Sequence, residues 1–451
     1  MNLTNKKIAL VSLGCDKNLI DSEVMLGLLR DAGADIIVDE STADIVIINT
    51  CGFIKAAVEE STEAIENMFS EKNKDAKVIV AGCMAERYKE EIYEKFPDVA
   101  AVIGTGEYEN IVSIINDIYI SDGARVSKFS EAFGCVPEEM MKNRMVSTPS
   151  HYAYIKIAEG CDNHCTYCAI PSIRGKLKSR EIEAITEEAK TLAARGIKEL
   201  IVIAQDTSIY GVDLYGEPKL HSLLRKFSEI EGIEWIRVLY CYPEHIYDEL
   251  INEIAENEKI CKYIDMPIQH SDDNVLKRMG RRGTNAELRS VIGELRKKIP
   301  EIAVRTTIIT GFPGETEEEF NNLLGFVNEM RFEKLGAFAY SREEGTPADL
   351  MQGHLPEKVK RKRMGKIMEA QQAISSEKCR ERVGKEVEVI IDNIYEKGVY
   401  IGRTQADCPD VDGVVLVRSG KELANGAIVR VMVGDCYEYD LIGDVINEFT
   451  E

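Results

Sequence analysis

Cys161, Cys165 and Cys168 fall within eight residues, spaced C-x3-C-x2-C, and this stretch constrains the chain more tightly than any other. The run 152–158 before it, Tyr-Ala-Tyr-Ile-Lys-Ile-Ala, reads as a strand. Pro171 and Gly175 follow closely, so no long helix can carry the three thiols. They share one loop at the end of a strand. Three thiolates on one loop are a metal-site pattern, and soft sulfur suits an iron–sulfur cluster or zinc. A closed zinc site wants four ligands, and no fourth cysteine or spaced histidine pair follows. Three ligands on a four-iron cluster leave one iron open to a small molecule. Zinc and three unrelated core cysteines remain the alternatives.

The first 122 residues repeat one grammar. The runs 7–15, 44–51 and 77–83 are short, continuous and rich in β-branched residues, and they end at Cys15, Cys51 and Cys83, each beside glycine. Such runs belong to a parallel sheet covered on both faces. Helical stretches at 21–32, 55–70 and 85–96 lie between and after them, and a weaker strand at 101–104 precedes a helix from Glu107. This is an open parallel α/β sheet of flavodoxin-like or Rossmann-like type. The strand-end loops of such a sheet converge on one edge, where ligands bind. Cys15, Cys51 and Cys83 are therefore expected as neighbours and as a second three-thiolate site. One buried cysteine means nothing, because cysteine is common in cores; the argument rests on three equivalent positions.

Residues 123–150 lack periodicity and contain Gly134, Pro137 and Pro149, which reads as a linker with room for a short hairpin. Cys135 within it is given no role. Strands at 152–158, 199–204, 234–239, 263–267, 303–310 and 335–340 then alternate with helices, most clearly 182–195, 244–257, 285–298 and 315–330. Six β/α units predict a barrel or partial barrel, with its active site at the carboxyl ends of the strands. Polar clusters stand at those ends, at 205–211, 240–244, 269–271, 310–315 and 341–347. Gly311 and Gly314 would let backbone approach a ligand, or simply turn the chain before a helix. His164, His270 and His354 are not spaced as ligands. A helix at 356–382 begins with a basic run that reads as a solvated face.

From 381 onward five short strands with no intervening helix predict a small antiparallel barrel of the OB-like class. That class often binds nucleic acid, but residues 379–451 hold 8 basic and 15 acidic side chains. A phosphate-tracking groove should be basic, so this acidic barrel better suits a basic protein. Asp407, Asp410 and Asp412 cluster on one loop, and Cys408 and Cys436 read as ordinary residues. The whole chain carries a net charge of −22, which disfavours stable nucleic-acid binding. No apolar run approaches the roughly 18–20 residues of a membrane helix. The first residues lack a signal-peptide core, so the expected compartment is the cytoplasm. There, 12 cysteines point to metal or redox chemistry more than to disulfides.

The C-x3-C-x2-C loop, with Tyr167 before its last cysteine, resembles the radical S-adenosylmethionine (SAM) superfamily. The three-cysteine amino-terminal unit and the small terminal barrel narrow this to the methylthiotransferases. The stretches 11–23, 205–211, 340–347 and 407–413 look like the branch that modifies ribosomal protein S12 more than the tRNA-modifying branch; Asp16 stands where that branch usually has proline. The resemblance implies an amino-terminal methylthiotransferase domain at 6–122, a linker at 123–146, a radical SAM domain with a partial (β/α)6 barrel at 147–378, and a TRAM barrel at 379–447. It implies that Cys161, Cys165 and Cys168 hold the radical SAM 4Fe–4S cluster, and that Cys15, Cys51 and Cys83 hold an auxiliary 4Fe–4S cluster carrying the sulfur. Tyr167, Gln205 and Gly311 are the candidates for holding SAM. The implied reaction puts a methylthio group on the β-carbon of an aspartate in S12, with two SAM molecules and an electron donor such as flavodoxin or ferredoxin. No side-chain base readily removes that hydrogen, so the cofactors must carry the hard step. The alternatives are methylthiolation of a tRNA adenosine and, in another class, a non-catalytic iron–sulfur binding or assembly protein.

Overall fold

The computed structural model describes residues 3–121, 124–130 and 137–446. Its amino-terminal unit is a parallel sheet ordered Asp35–Ile36, Lys7–Ser12, Ile45–Thr50, Lys77–Gly82, Ala101–Ile103 and Val126–Lys128. Every residue of Ile45–Thr50 is buried, as expected for a central strand covered on both faces. The hairpin expected within 123–150 does not form among the described residues. Val126–Lys128 instead extends the sheet, pairing in parallel with Ala101–Ile103. Cys135 lies outside the described residues. The first helix starts earlier than its pattern suggested, at Asp16, directly after Cys15. The helix expected at 85–96 is two short ones, Cys83–Tyr88 and Glu91–Lys95, broken where Lys89 takes a positive φ of 45°.

Six central strands follow: Tyr152–Lys156, Glu199–Ile203, Trp235–Val238, Tyr263–Asp265, Ala303–Thr310 and Lys334–Ala339. They form two parallel three-stranded sheets, linked by a bridge between Ile236 and Ile260. The first and last strands do not pair, so the barrel is open on one side. Its outer face buries Ile155, Leu200, Val202, Ile264 and Val304 beneath the helices. Its inner face is not solvent: Tyr154, Ile203 and Tyr263 share one core with Ile20 and Val24 of the helix Asp16–Asp31 and with Ala406 and Cys408. The other two units thus pack against the concave side of the barrel.

The helix Glu357–Arg380 leads into the terminal barrel, which is closed, in the order Glu386–Glu396, Val399–Arg403, Val415–Arg418, Leu441–Val445 and Ile428–Cys436. All its pairings are antiparallel except that of Val415–Arg418 with Leu441–Val445, which is parallel. A buried clamp fixes this barrel to the central one. Glu199 accepts from Arg237 Nε at 2.7 Å and from Arg403 Nη2 at 2.8 Å, and Arg403 also meets Asp392 at 2.8 Å. Burial alone would raise the Glu199 carboxyl, but the two guanidinium groups hold it down at about 2. Arg403→Ala would strip one partner from a buried charge. The expected cost is about 3–5 kcal/mol, read as a lower denaturant midpoint together with faster proteolysis at the junction of the two barrels. Among the described residues no helix is long and apolar enough to cross a membrane.

Candidate active site

The strand Tyr152–Lys156 and the short strand Ala158–Glu159 deliver the chain to Gly160, whose φ is +74°. A Cβ there would lie 2.0 Å from the Lys176 carbonyl, so only glycine lets the chain fold back at this point. The Cys161 N–H then donates to the Gly175 carbonyl at 3.0 Å, closing the base of the cysteine loop. A neighbouring strand end and the end of the helix Asp273–Arg278 hold the rest of it. Asn163 donates to Asp206 at 2.7 Å, and Thr166 donates through its N–H to the Met279 carbonyl at 2.9 Å and through its hydroxyl to the Arg278 carbonyl at 2.8 Å. Cys165 touches the hydroxyl of Tyr242, whose ring is held between His245, with centroids 5.4 Å apart, and the Arg281 guanidinium, 3.7 Å from the ring centre.

The second set also comes together. Cys15 is exposed, while Cys51 and Cys83 are buried. Burial pushes the Cys83 thiol up to about 12; Arg174 opposes that, and the nearby Cys15 and Cys51 add to it. A Cβ on Gly14 would sit 3.0 Å from the Cys51 sulfur, so this glycine keeps the first two strand ends close. The segment after Cys168 packs on the second set at Cys83, along one seam. Cys83 shares a buried apolar cluster with Ala169 and Ile173, one and five residues after Cys168. The Thr105 hydroxyl donates to the Ile173 carbonyl at 2.8 Å. On the other flank Arg87 bonds the Gly52 carbonyl at 2.8 Å and Glu343 at 3.0 Å, so the 341–347 loop docks on the loop of Cys51.

Both sets fit iron–sulfur ligation in their chemistry. The N–H groups of Asn163 and Ile170 donate to the sulfurs of Cys161 and Cys168 at 3.4 and 3.5 Å, the kind of contact that steadies a cluster thiolate. Burial pushes both thiols up to about 12, so a cation must supply the charge that ionises them. Among the described residues no three Cys, His, Asp or Glu side chains converge on the position of a single metal ion.

Of the SAM candidates, Tyr167 lies against an apolar group of Val275, Met279, Phe312 and Tyr340. Gln205 donates to Glu159 at 2.7 Å, while its own buried carbonyl oxygen finds no partner. Gly311 has φ +75°, and its N–H donates to Glu315 at 2.8 Å. A Cβ at Gly311 would sit 2.4 Å from the Lys360 side chain, so its freedom serves the approach of the helix Glu357–Arg380. The basic start of that helix is not simply a solvated face. Lys360 reaches the Tyr340 carbonyl at 2.8 Å and Arg363 reaches Glu315 at 2.6 Å, both nearly buried. Their burial follows from carbonyls and a carboxylate left unpaired at the strand ends. His164 is exposed, His270 accepts from the Asp272 N–H at 3.0 Å, and His354 stacks on Tyr340; none joins a triad.

A buried charge network at the seam escaped the sequence reading. Lys156 bonds Asp21 at 2.6 Å and Glu159 at 2.7 Å, and Arg174 bonds Glu159 at 2.9 Å and Asp21 at 3.0 Å. Burial alone would raise the Glu159 carboxyl, but Arg174 and Lys156 hold it well below the usual carboxylate range. The signal was present: Lys156 interrupts an otherwise apolar and aromatic strand, and a buried ammonium requires partners. A cavity of about 580 Å³ opens beside Cys15, walled by Asp16, Tyr154, Tyr240, Asp265 and Arg305 and reaching the Asp410 loop of the terminal barrel.

Comparison with known proteins assigns the three units. Residues 7–104 match the uncharacterized protein family UPF0004, 155–327 the radical SAM superfamily and 383–446 the TRAM domain. Among solved structures, the radical S-adenosylmethionine methyltransferase TsrM from Kitasatospora setae superposes with a TM-score of 0.56 at 15% identity, covering 76% of this chain and 75% of that one. That likeness is one of fold. The architecture is thus a radical SAM barrel flanked by UPF0004 and TRAM domains. The ribosomal protein uS12 methylthiotransferase RimO of Lachnoclostridium phytofermentans is 50% identical over 440 residues, 97% of this chain and 99% of its own. Those of Acetivibrio thermocellus and Clostridioides difficile are each 48% identical, each covering 98% of this chain and 99% of their own. The chain belongs to the family of ribosomal protein uS12 methylthiotransferases.

Proposed function

We propose that this protein is a radical SAM enzyme that methylthiolates the β-carbon of an aspartate in ribosomal protein uS12. In this reading Cys161, Cys165 and Cys168 hold one 4Fe–4S cluster, and Cys15, Cys51 and Cys83 hold another. Tyr167, Gln205 and Gly311 border the SAM site, with the unpaired oxygen of Gln205 as its most direct polar handle. When bound, the clusters and two SAM molecules supply the radical and the methylated sulfur. The residues supply position. Asn163 and Asp206 fix the open side of the cysteine loop, and Tyr242 backs Cys165. The helix Asp16–Asp31 packs Ile20 and Val24 against the concave side of the barrel, beside the cavity at Cys15.

The observation that carries the proposal is the contact of Cys83 with Ala169 and Ile173, which brings the two triads onto one seam. A sulfur donor and a radical source must both reach the same carbon. The acidic terminal barrel suits a basic ribosomal protein and argues against a tRNA groove. We place the enzyme in the cytoplasm, with a flavodoxin or ferredoxin as electron donor, and divide the chain into domains at 6–122, 147–378 and 379–447. Incubation of reconstituted protein with reductant, SAM and either uS12 or tRNA, followed by mass spectrometry, is expected to show the methylthio mass on uS12 alone. An adduct found on tRNA alone would overturn the assignment.

A further inference from the structure

Arg174 stands between the two triads and belongs to neither. It closes the short helix Ile170–Arg174 just after the radical-loop cysteines, and it is 2% exposed. One arm of its guanidinium meets Glu159, two residues before Cys161. The other meets Asn18 at 2.6 Å, Asp21 at 3.0 Å and the sulfur of Cys83 at 3.5 Å. Two acids and a lysine surround it, so its burial does not depend on the sulfur contact for charge balance. The fork nevertheless reaches Cys83.

We infer that Arg174 is a positioning residue for the auxiliary cluster: its guanidinium donates to the Cys83 sulfur, raises the reduction potential of that cluster and ties it to the radical loop through Glu159. The inference rests on Cys83 being a cluster ligand, as proposed above. Its physical basis is that cluster potentials follow local net charge and hydrogen bonds to the sulfurs. Partners behind a ligand commonly change affinity or activity by about 10–100-fold when removed. Arginine suits the post because a planar fork serves several acceptors in one plane, which an ammonium cannot.

The test uses the full chain with Cys161, Cys165 and Cys168 all changed to Ala, so that the auxiliary cluster is the iron present. Iron content is measured first, then the midpoint potential by a redox titration followed by electron paramagnetic resonance. Arg174→Gln is expected to lower the potential. Asp21→Asn, which removes a negative charge from the same network without touching Cys83, is expected to raise it. General damage to the seam would move both variants the same way, and that result, or an unchanged potential in Arg174→Gln, overturns the inference. If Arg174→Gln does not fold, Arg174→Lys decides: its ammonium holds the carboxylates and loses Cys83, so a potential below that of the parent supports the role and an unchanged one overturns it. Absence of iron in the triple variant overturns the ligand assignment of Cys83 as well, and is told apart because it precedes any titration. In the otherwise unaltered enzyme, Arg174→Gln is expected to lower methylthiolated product about 10–100-fold.

Discussion

Cys161→Ala is expected to abolish 5′-deoxyadenosine formation. The other two radical-loop thiols would remain, but a four-iron cluster held by two protein ligands instead of three loses its fixed geometry on that loop. The loop itself should survive the change. Its shape comes from Gly160, from the Cys161 N–H bond to Gly175, from Asn163 on Asp206 and from Thr166 on Met279, and none of these uses the Cys161 sulfur. Alanine also keeps the Cβ, so the backbone pays no new steric cost. Folding stability is therefore expected to stay close to that of the parent while iron falls from about eight to about four per chain. Colorimetric iron analysis and chromatography of the SAM products read the two effects separately. Undiminished 5′-deoxyadenosine would remove Cys161 from the radical site.

Cys51→Ala is expected to do the reverse. SAM cleavage should continue, because the radical loop is held by contacts within its own barrel, at Asp206, Arg278 and Met279, while transfer of sulfur to uS12 falls below detection. The fold again has little reason to change. The close approach of Gly14 is to the Cys51 Cβ as well as its sulfur, and the Cys51 backbone is held by Ser61, which accepts from its N–H and donates to its carbonyl at 3.0 Å each. Alanine preserves all three contacts. The measurement is the ratio of 5′-deoxyadenosine to methylthiolated uS12 by mass spectrometry; normal methylthiolation in this variant would sink the auxiliary-cluster assignment. The pair of variants separates radical generation from sulfur delivery, which no single substitution does.

Several elements were legible because their determinants are local. The strand Ala303–Thr310 and the helix Asn285–Lys298 begin and end where the sequence pattern placed them. That helix carries its own start signal, a capping box of Thr284 and Glu287. Even the meeting of Cys15, Cys51 and Cys83 could be foreseen, because equivalent strand ends of a parallel sheet lie on one edge whatever the intervening sequence. The extra strand Val126–Lys128 was missed because a three-residue edge strand has too few side chains to show a period. The basic start of the helix Glu357–Arg380 was misread because charge was taken as a sign of solvent, whereas Lys360 and Arg363 are drawn inward by acceptors far away in the chain.

The cysteine spacing, the β-branched runs and the acidic balance were thus determined by the sequence alone, since thiol chemistry, strand burial and net charge need no partner to be recognised. Tertiary structure decided how the two triads meet. Lys156 finds Asp21 across 135 residues and Arg174 finds Asp21 across 153. A buried charge announces that it needs an opposite charge but not which one, because that choice is made only when the units pack and water leaves the seam.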